Sequence, residues 1–425
     1  MSSPPSGTIN QRTRAFVAEV MSQRLDDDEI NSFIEATKDW QEKITPAGIR
    51  LPKFTSFSIG WPNLKVSLVL MPLVASAGVV VSKIFEPFTL LGLPGDQTLD
   101  VPANINSHSN KLQSIPGFQT SLSPKEINNQ LSRVGAVLFF PPEEMASLYK
   151  RISASEGTNS FQDHRYSLLG CFVSSILLCG VDGASFDIKV GEGSFLKNSK
   201  EARSLVQSLI NVCNRLKIIS TFILSDINQP LGQALGSSLE IREVLEILKR
   251  KGPLDVLKLV LELGTEILLL AKKTLNRTEA KRVLKEKIIR GEALEKFKQI
   301  IEAQKGDPRI IDDYSLLPQA KDRMKILSPK KGFIQKIMMK QIRSICLELE
   351  TGSKQPADSG DHGPGLLIFK KIGEKVEKGE TLAEVHFNKV KNVSRLEKEA
   401  QGAFIISEKP PGFRPFIIER ISAKV

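Results

Sequence analysis

Along the chain, apolar and polar positions alternate between two periods. Short β-branched runs are separated by longer stretches with apolar residues three and four apart. A polar loop from Lys53 leads into the apolar segment Val66–Ala77, which is followed at once by the run Val79–Val81. This order predicts a buried helix and a buried strand, with the helix N-terminus beneath the loop. Before it, helical patterns cover Thr13–Gln23 and Asp27–Lys43, the second opening with acidic residues as a helix dipole favours. After it, 85–110 carries Pro87, Pro94, Gly95 and Pro102 and ends in ANINSHSN, an exposed loop. Ser123 and Pro124 read as N-cap and first residue of the next helix. Gly135–Phe140 is a buried strand closed by two prolines, EEMASLYKRI a helix, and Tyr166–Leu178 an apolar helix. Ser185–Phe195 gives a strand and a glycine-containing turn, Lys200–Arg215 a helix, and Ile218–Leu224 a strand. Glu240–Gln304 is almost wholly helical, broken at Gly252–Pro253. Strands alternating with helices predict an α/β fold with a mixed, mostly parallel sheet.

Beyond Lys321 the pattern changes to short strands with closely spaced turns, predicting a small β-rich domain. GEKVEKGETLAEV has the hairpin style of barrel-sandwich domains that carry biotin or lipoate. No lysine stands in the tight turn those carriers use, so the domain is read as structural. The resulting division is a disordered tail at 1–10, a helical domain over 11–60 and about 141–180, an α/β domain over 61–140 and 181–322, and a β-rich domain over 323–425.

Composition narrows the function classes. With 425 residues the chain can bury two or three cores. A net charge of +11 would admit a nucleic-acid partner, but the basic residues are interleaved with acids along helices. Three Tyr and two Trp offer little for base stacking, so nucleic acid is not the expected partner. Four scattered cysteines without a C-x-x-C spacing point to a reducing compartment, and four isolated histidines provide no metal cluster. The uncharged run 66–82 is short for a membrane span and contains Pro72. A cytoplasmic protein with no membrane segment is expected.

Several segments then resemble the thymidine and pyrimidine-nucleoside phosphorylase family. FDIKVGEGSF matches L-D-V-K-x-G-x-G-A-F, and SDINQPLGQALGSSLEIREVLEILKRKGP matches S-D-M-x-Q-P-L-G-x-x-x-G-N-A-L-E-V-x-E-A. ALEKFKQIIEAQKGDPRIIDDYSLLPQAK, SLVLMPLVASAG and KLQSIPGF also match, so the resemblance runs from about Thr13 onward. It implies a helical domain and a larger α/β domain around a cleft, and a homodimer through the helical domain. It also implies reversible phosphorolysis, in which inorganic phosphate attacks C1′ of a pyrimidine nucleoside and no cofactor is needed. The family's first two helices have no counterpart in this sequence, which puts that dimer interface in question.

At the positions the family uses for chemistry, the sequence departs from it. The family's phosphate loop K-H-S-T-G-G-V-G-D falls on SFSIGWPNL: the lysine becomes Ser56, the histidine Phe57, and only Ser58 and Gly60 are kept. A second phosphate segment is interrupted by the insertion over 85–110, where the serine becomes Phe85 and the threonine survives as Thr98. On the base side the arginine aligns with Ile152 and the lysine with Cys179, while Ser175 is kept. Residues 166–188 contain no Lys or Arg. Two readings follow. In one, the chain is a homologue whose phosphorolysis is impaired or lost and which acts by binding. In the other, it is an active phosphorylase whose anions are held by Lys53, Lys65, Lys83, Arg151 or Arg165. No metal site is expected in either.

Overall fold

The computed structural model describes residues 11–21, 27–44, 53–59, 64–84, 111–139, 169–170, 172–173, 175–351 and 361–422. Helices α1 (Gln11–Met21) and α2 (Asp27–Ile44) precede strand β1 (Lys53–Ile59), helix α3 (Leu64–Ser76) and strand β2 (Val80–Ile84). Helix α4 (Pro124–Val134) and strand β3 (Ala136–Phe139) follow, then β4 (Gly183–Val190), α5 (Ser199–Arg215) and β5 (Ile219–Asp226). A short strand β6 (Ala234–Leu235) leads into α6 (Ser237–Leu248), α7 (Leu254–Leu270), α8 (Arg277–Ile289) and α9 (Glu292–Ala303). The β-rich part holds β7 (Asp322–Leu327), β8 (Gly332–Ile337), α10 (Met339–Thr351), β9 (Gly365–Ile368), β10 (Lys375–Val376), β11 (Thr381–Phe387), α11 (Val393–Gly402), β12 (Phe404–Ser407) and β13 (Ile417–Ser422).

The main sheet has the order β13-β5-β4-β1-β2-β3. Every pairing from β5 to β3 is parallel, and β13 is antiparallel on β5, giving the mixed, mostly parallel sheet expected. Apolar cores lie on both faces. On one face Phe57, Ile59, Phe186 and Phe222 join Phe16, Phe33 and Ile34 of α1 and α2. On the other, Phe54, Val81 and Ile223 pack with α3, α7 and α9. α3 is apolar on all sides because sheet and helices enclose it. No helix among the described residues is long and apolar enough to cross a membrane.

Local chemistry sets the boundaries. Ser123 and Glu126 form the reciprocal capping box at the start of α4, with Pro124 in its first turn, and Gly135 closes that helix in the left-handed conformation.

Three assignments change. Lys53–Ile59, read as a polar loop at the end of the helical domain, is strand β1 in the middle of the main sheet. Its Thr55 and Ser56 are buried, so hydroxyls stand where an apolar run would have announced a strand. Helices α10 and α11 interrupt what reads as a purely β pattern. The β-rich part also exchanges strands with the main domain. β6 pairs with β9 in a four-stranded sheet of order β6-β9-β11-β7, while β13 belongs to the main sheet. A three-stranded sheet of order β10-β8-β12 completes the module. The tail 1–10 and most of 141–180 lie outside the described residues.

The β6–β9 seam depends on two glycines. Gly236 has φ +124, and a Cβ on Gly365 would stand 2.3 Å from the Leu235 carbonyl oxygen. Backbone cannot yield as a flexible side chain would. Gly365→Ala is therefore expected to destabilise the seam by at least about 1–3 kcal/mol. Urea unfolding and faster amide exchange at Leu235 would check this; unchanged stability would show that the strands need not meet so closely.

Candidate functional site

In open parallel sheets, ligands bind beyond the carboxyl ends of the strands. Here those ends are contributed by β1, β4 and β5. Ile59 ends β1, residues 60–63 lie outside the described set, and α3 starts at Leu64, so a helix N-terminus does follow the loop. In register, Ser58 faces Asp187 and Ile59 faces Ile188 across the β1–β4 pair, placing the retained serine beside the FDIK motif. Of the other phosphate positions, Ser56 is buried on β1, while Gly60, Thr98 and Phe85 lie outside the described residues. So do Ile152, Arg151 and Arg165.

One face of this region is apolar. Phe57, standing where the resemblance implies histidine, is 4% exposed. Its ring lies edge-on to Phe172 at 5.1 Å and stacks on Phe186 at 5.3 Å. Phe186 in turn meets Phe172 at 4.9 Å and stacks on Phe222 at 4.6 Å. Such aromatic pairs contribute roughly 0.5–1.5 kcal/mol each beyond the area they bury. Ser175 and Cys179, on the helical residues 175–179, are both fully buried, and Cys179 belongs to the same apolar cluster. The positions for which the family implies a histidine and a base-side lysine thus form part of a packed core.

The opposite face is polar and closed. A strand places residues i and i+2 on one face, so Asp187 and Lys189 of β4 point together toward α7. Their side chains pair at 2.7 Å and neither is exposed. The Ser225 hydroxyl on β5 donates to Asp187 Oδ1 at 2.5 Å and accepts from Lys189 Nζ at 3.0 Å. Four residues earlier on β5, Thr221 donates to Glu266 of α7, which also pairs with Arg277. The FDIK motif therefore sets a buried ion pair at the strand ends. Its sequence signal was an acid and a base two apart inside an otherwise apolar strand.

Next to these ends, segment 229–235 has almost no repetitive structure and borrows its hydrogen bonds from charged side chains. Lys65, the second residue of α3, donates to the carbonyls of Leu231 at 2.9 Å and Ala234 at 2.6 Å and to Glu243 Oε2 at 2.7 Å. Glu243 Oε1 accepts the amides of Gln233 and Ala234, and Asp255 accepts that of Gly232. From the β-rich module, Lys371 donates to the carbonyls of Pro230 and Gly232, and the Ile368 amide donates to the Gln233 carbonyl. Five consecutive carbonyls, 230 to 234, are thus satisfied from outside the segment. Desolvation pushes the Lys371 amine down to about 8, although Asp255 nearby favours its charge.

This arrangement limits which lysines could hold an anion near the end of β1. Lys65 is committed to segment 229–235 and to Glu243, and is 2% exposed. Lys53 starts β1, and its amide donates to Asp182 at the start of β4. At ~3.3 Å per residue, that places it roughly 20 Å from the Ile59 end. Lys83 lies on β2, with its side chain outside the described set. No group of three or more His, Cys, Asp or Glu residues that could hold a metal occurs among the described residues.

Breaking the buried pair tests its role. Asp187→Ala leaves the Lys189 ammonium without its counter-charge and should cost about 3–5 kcal/mol. The double variant Asp187→Ala/Lys189→Met is expected to cost less than the single Asp187→Ala. Urea denaturation of both variants measures the coupling, and additive losses would mean that the pair is not interacting.

The sequence resembles known proteins over most of its length. Residues 333–407 match the family model of the pyrimidine nucleoside phosphorylase C-terminal domain. The chain is 31% identical over 407 residues to the pyrimidine-nucleoside phosphorylase of Staphylococcus epidermidis, covering 95% of this chain and 89% of that protein. It is 32% identical over 391 residues to the pyrimidine-nucleoside phosphorylase of Staphylococcus aureus, covering 91% of this chain and 86% of that protein. Among solved structures, the anthranilate phosphoribosyltransferase of Thermus thermophilus aligns with a TM-score of 0.46 at 13% identity, over 70% of this chain and 97% of that one. On the strength of the two staphylococcal relatives, the chain belongs to the pyrimidine-nucleoside phosphorylase family.

Proposed function

We propose that this protein keeps the fold of a pyrimidine-nucleoside phosphorylase but has lost phosphorolysis at the rate typical of its family, and that it acts by binding in or near the cleft. The carrying observation is the burial of Phe57 and Cys179 in a single apolar core, where the family's chemistry implies a histidine and a lysine. Phosphorolysis builds negative charge on the departing base and needs cations around the phosphate. An apolar wall supplies neither. Losing one charged donor costs roughly 10²–10³ in rate, and here several are replaced together. Losses within one catalytic unit do not simply multiply, so a rate below about a thousandth of a staphylococcal relative's is the expected outcome.

The active reading, with anions held by other basic residues, finds no support from Lys53, which starts β1 at the end opposite Ile59, or from Lys65, whose ammonium is held by Glu243 and segment 229–235. On either reading no cofactor is required, and inorganic phosphate would be the co-substrate of any residual reaction. A cytoplasmic setting fits the scattered cysteines, and a homodimer through the helical domain is the family's arrangement.

The purified protein, supplied with uridine or thymidine and phosphate, should release no free base above that level by chromatography. Base release above a thousandth of a relative's rate, abolished by Ser58→Ala, would overturn the proposal. A second measurement addresses the pocket itself. Cys179→Lys, which replaces the thiol with the family's cation, should lower stability by about 3–5 kcal/mol, because the ammonium would enter a packed apolar core. Ready tolerance of that lysine, seen as an unchanged urea midpoint, would mean that position 179 opens to water like a working base site.

A further inference from the structure

The β-rich module meets the α/β domain at segment 229–234, and the junction is built around one amine. Lys371 follows β9 and reaches across to the carbonyls of Pro230, at 2.6 Å, and Gly232. Its neighbour Ile372 donates its amide to Gln229 Oε1 at 2.7 Å. The Lys371 side chain is only 18% exposed. Four charged groups face it: Asp255 of α7 with a carboxylate oxygen at 3.9 Å, Lys65 of α3, Glu243 of α6, and Glu374 from its own turn. Glu243 is already paired with Lys65, so the carboxylate across the junction from Lys371 is Asp255, beyond hydrogen-bond distance.

We propose that Lys371 is a proton-released latch: losing its proton tightens the module's hold on segment 229–234. An ammonium here is desolvated against two neutral carbonyls and lies near a second ammonium, Lys65. A neutral amine still carries two N–H groups, which match the two carbonyls it already contacts. Deprotonation therefore removes the desolvation penalty and keeps both hydrogen bonds. The direction of the effect follows from linkage. The docked amine titrates near 8, while a free lysine keeps its proton to about 10.5. Between those values the docked state binds fewer protons than the released one, so docking strengthens as pH rises through the window. Below pH 8 both states are charged and docking does not vary with pH on this account.

The test is native-state amide exchange of the full chain at residues 232–235, corrected for the intrinsic pH dependence of exchange. Between pH 7.5 and 9.5 the wild-type opening constant should fall at least about fivefold, against a linkage ceiling of tenfold per pH unit. Lys371→Met, which cannot titrate, should give a flat profile. Lys371→Arg stays charged throughout and should also be flat, with a larger opening constant than wild type at pH 9.5. A flat or rising wild-type opening constant would overturn the latch, and so would a Met or Arg variant that keeps the fall. Should the Met variant not fold, the wild-type and Arg profiles decide the question between them.

Discussion

Segment 229–235 is the joint on which the architecture turns. Most of its residues are buried among structured elements, but they form only a two-residue ladder, at β6. A buried carbonyl or amide without a partner costs about 1–3 kcal/mol. Here the partners come from α3, α6, α7 and the β-rich module, each contributing a charged side chain or a strand edge. The segment therefore has one low-energy path only when all four elements are in place. This gives segment 229–235 a structural role, that of bringing four elements together.

The same separation between scaffold and chemistry appears across the main sheet. The face toward α7 holds a buried ion pair and hydroxyl network, while the face toward α1 and α2 holds a stack of phenylalanines. A site that must hold phosphate and a pyrimidine needs water-accessible polar groups aimed into a cleft. Packed rings meet a different requirement, adding stability to the sheet through dispersion and stacking. Phe57 and Cys179 meet this second requirement, both buried in the one apolar cluster.

Much of this was legible in the sequence, and the gaps have physical causes. The alternation of strand and helix revealed the parallel sheet because fully buried strands such as β3 are continuous apolar runs. Strand β1 escaped notice because it buries Thr55 and Ser56, and buried hydroxyls look like loop composition. α10 and α11 escaped because they sit between short strands and strong turn residues. The clamp around 229–235 could not be read at all. Lys65 and Glu243 are 178 residues apart, and nothing local marks either as half of a buried pair. Pairing partners are set by topology, and topology is known only once the strands have been ordered.

Strand β13 bears on how such a chain is made. It follows β12, the last strand of the β-rich module's own sheets, yet it closes the main sheet against β5, with Ile417 opposite Ser225 and salt bridges from Arg203 to Glu419 and from Arg420 to Glu262. During synthesis, β5 emerges long before its neighbour and spends that interval as an open, apolar sheet edge. Such edges are where nascent chains pair with the wrong partner. The last contact of the main sheet also has a very high sequence separation, which slows folding. The main sheet can therefore close only after an entire module has been translated, an order of events that the finished molecule does not reveal.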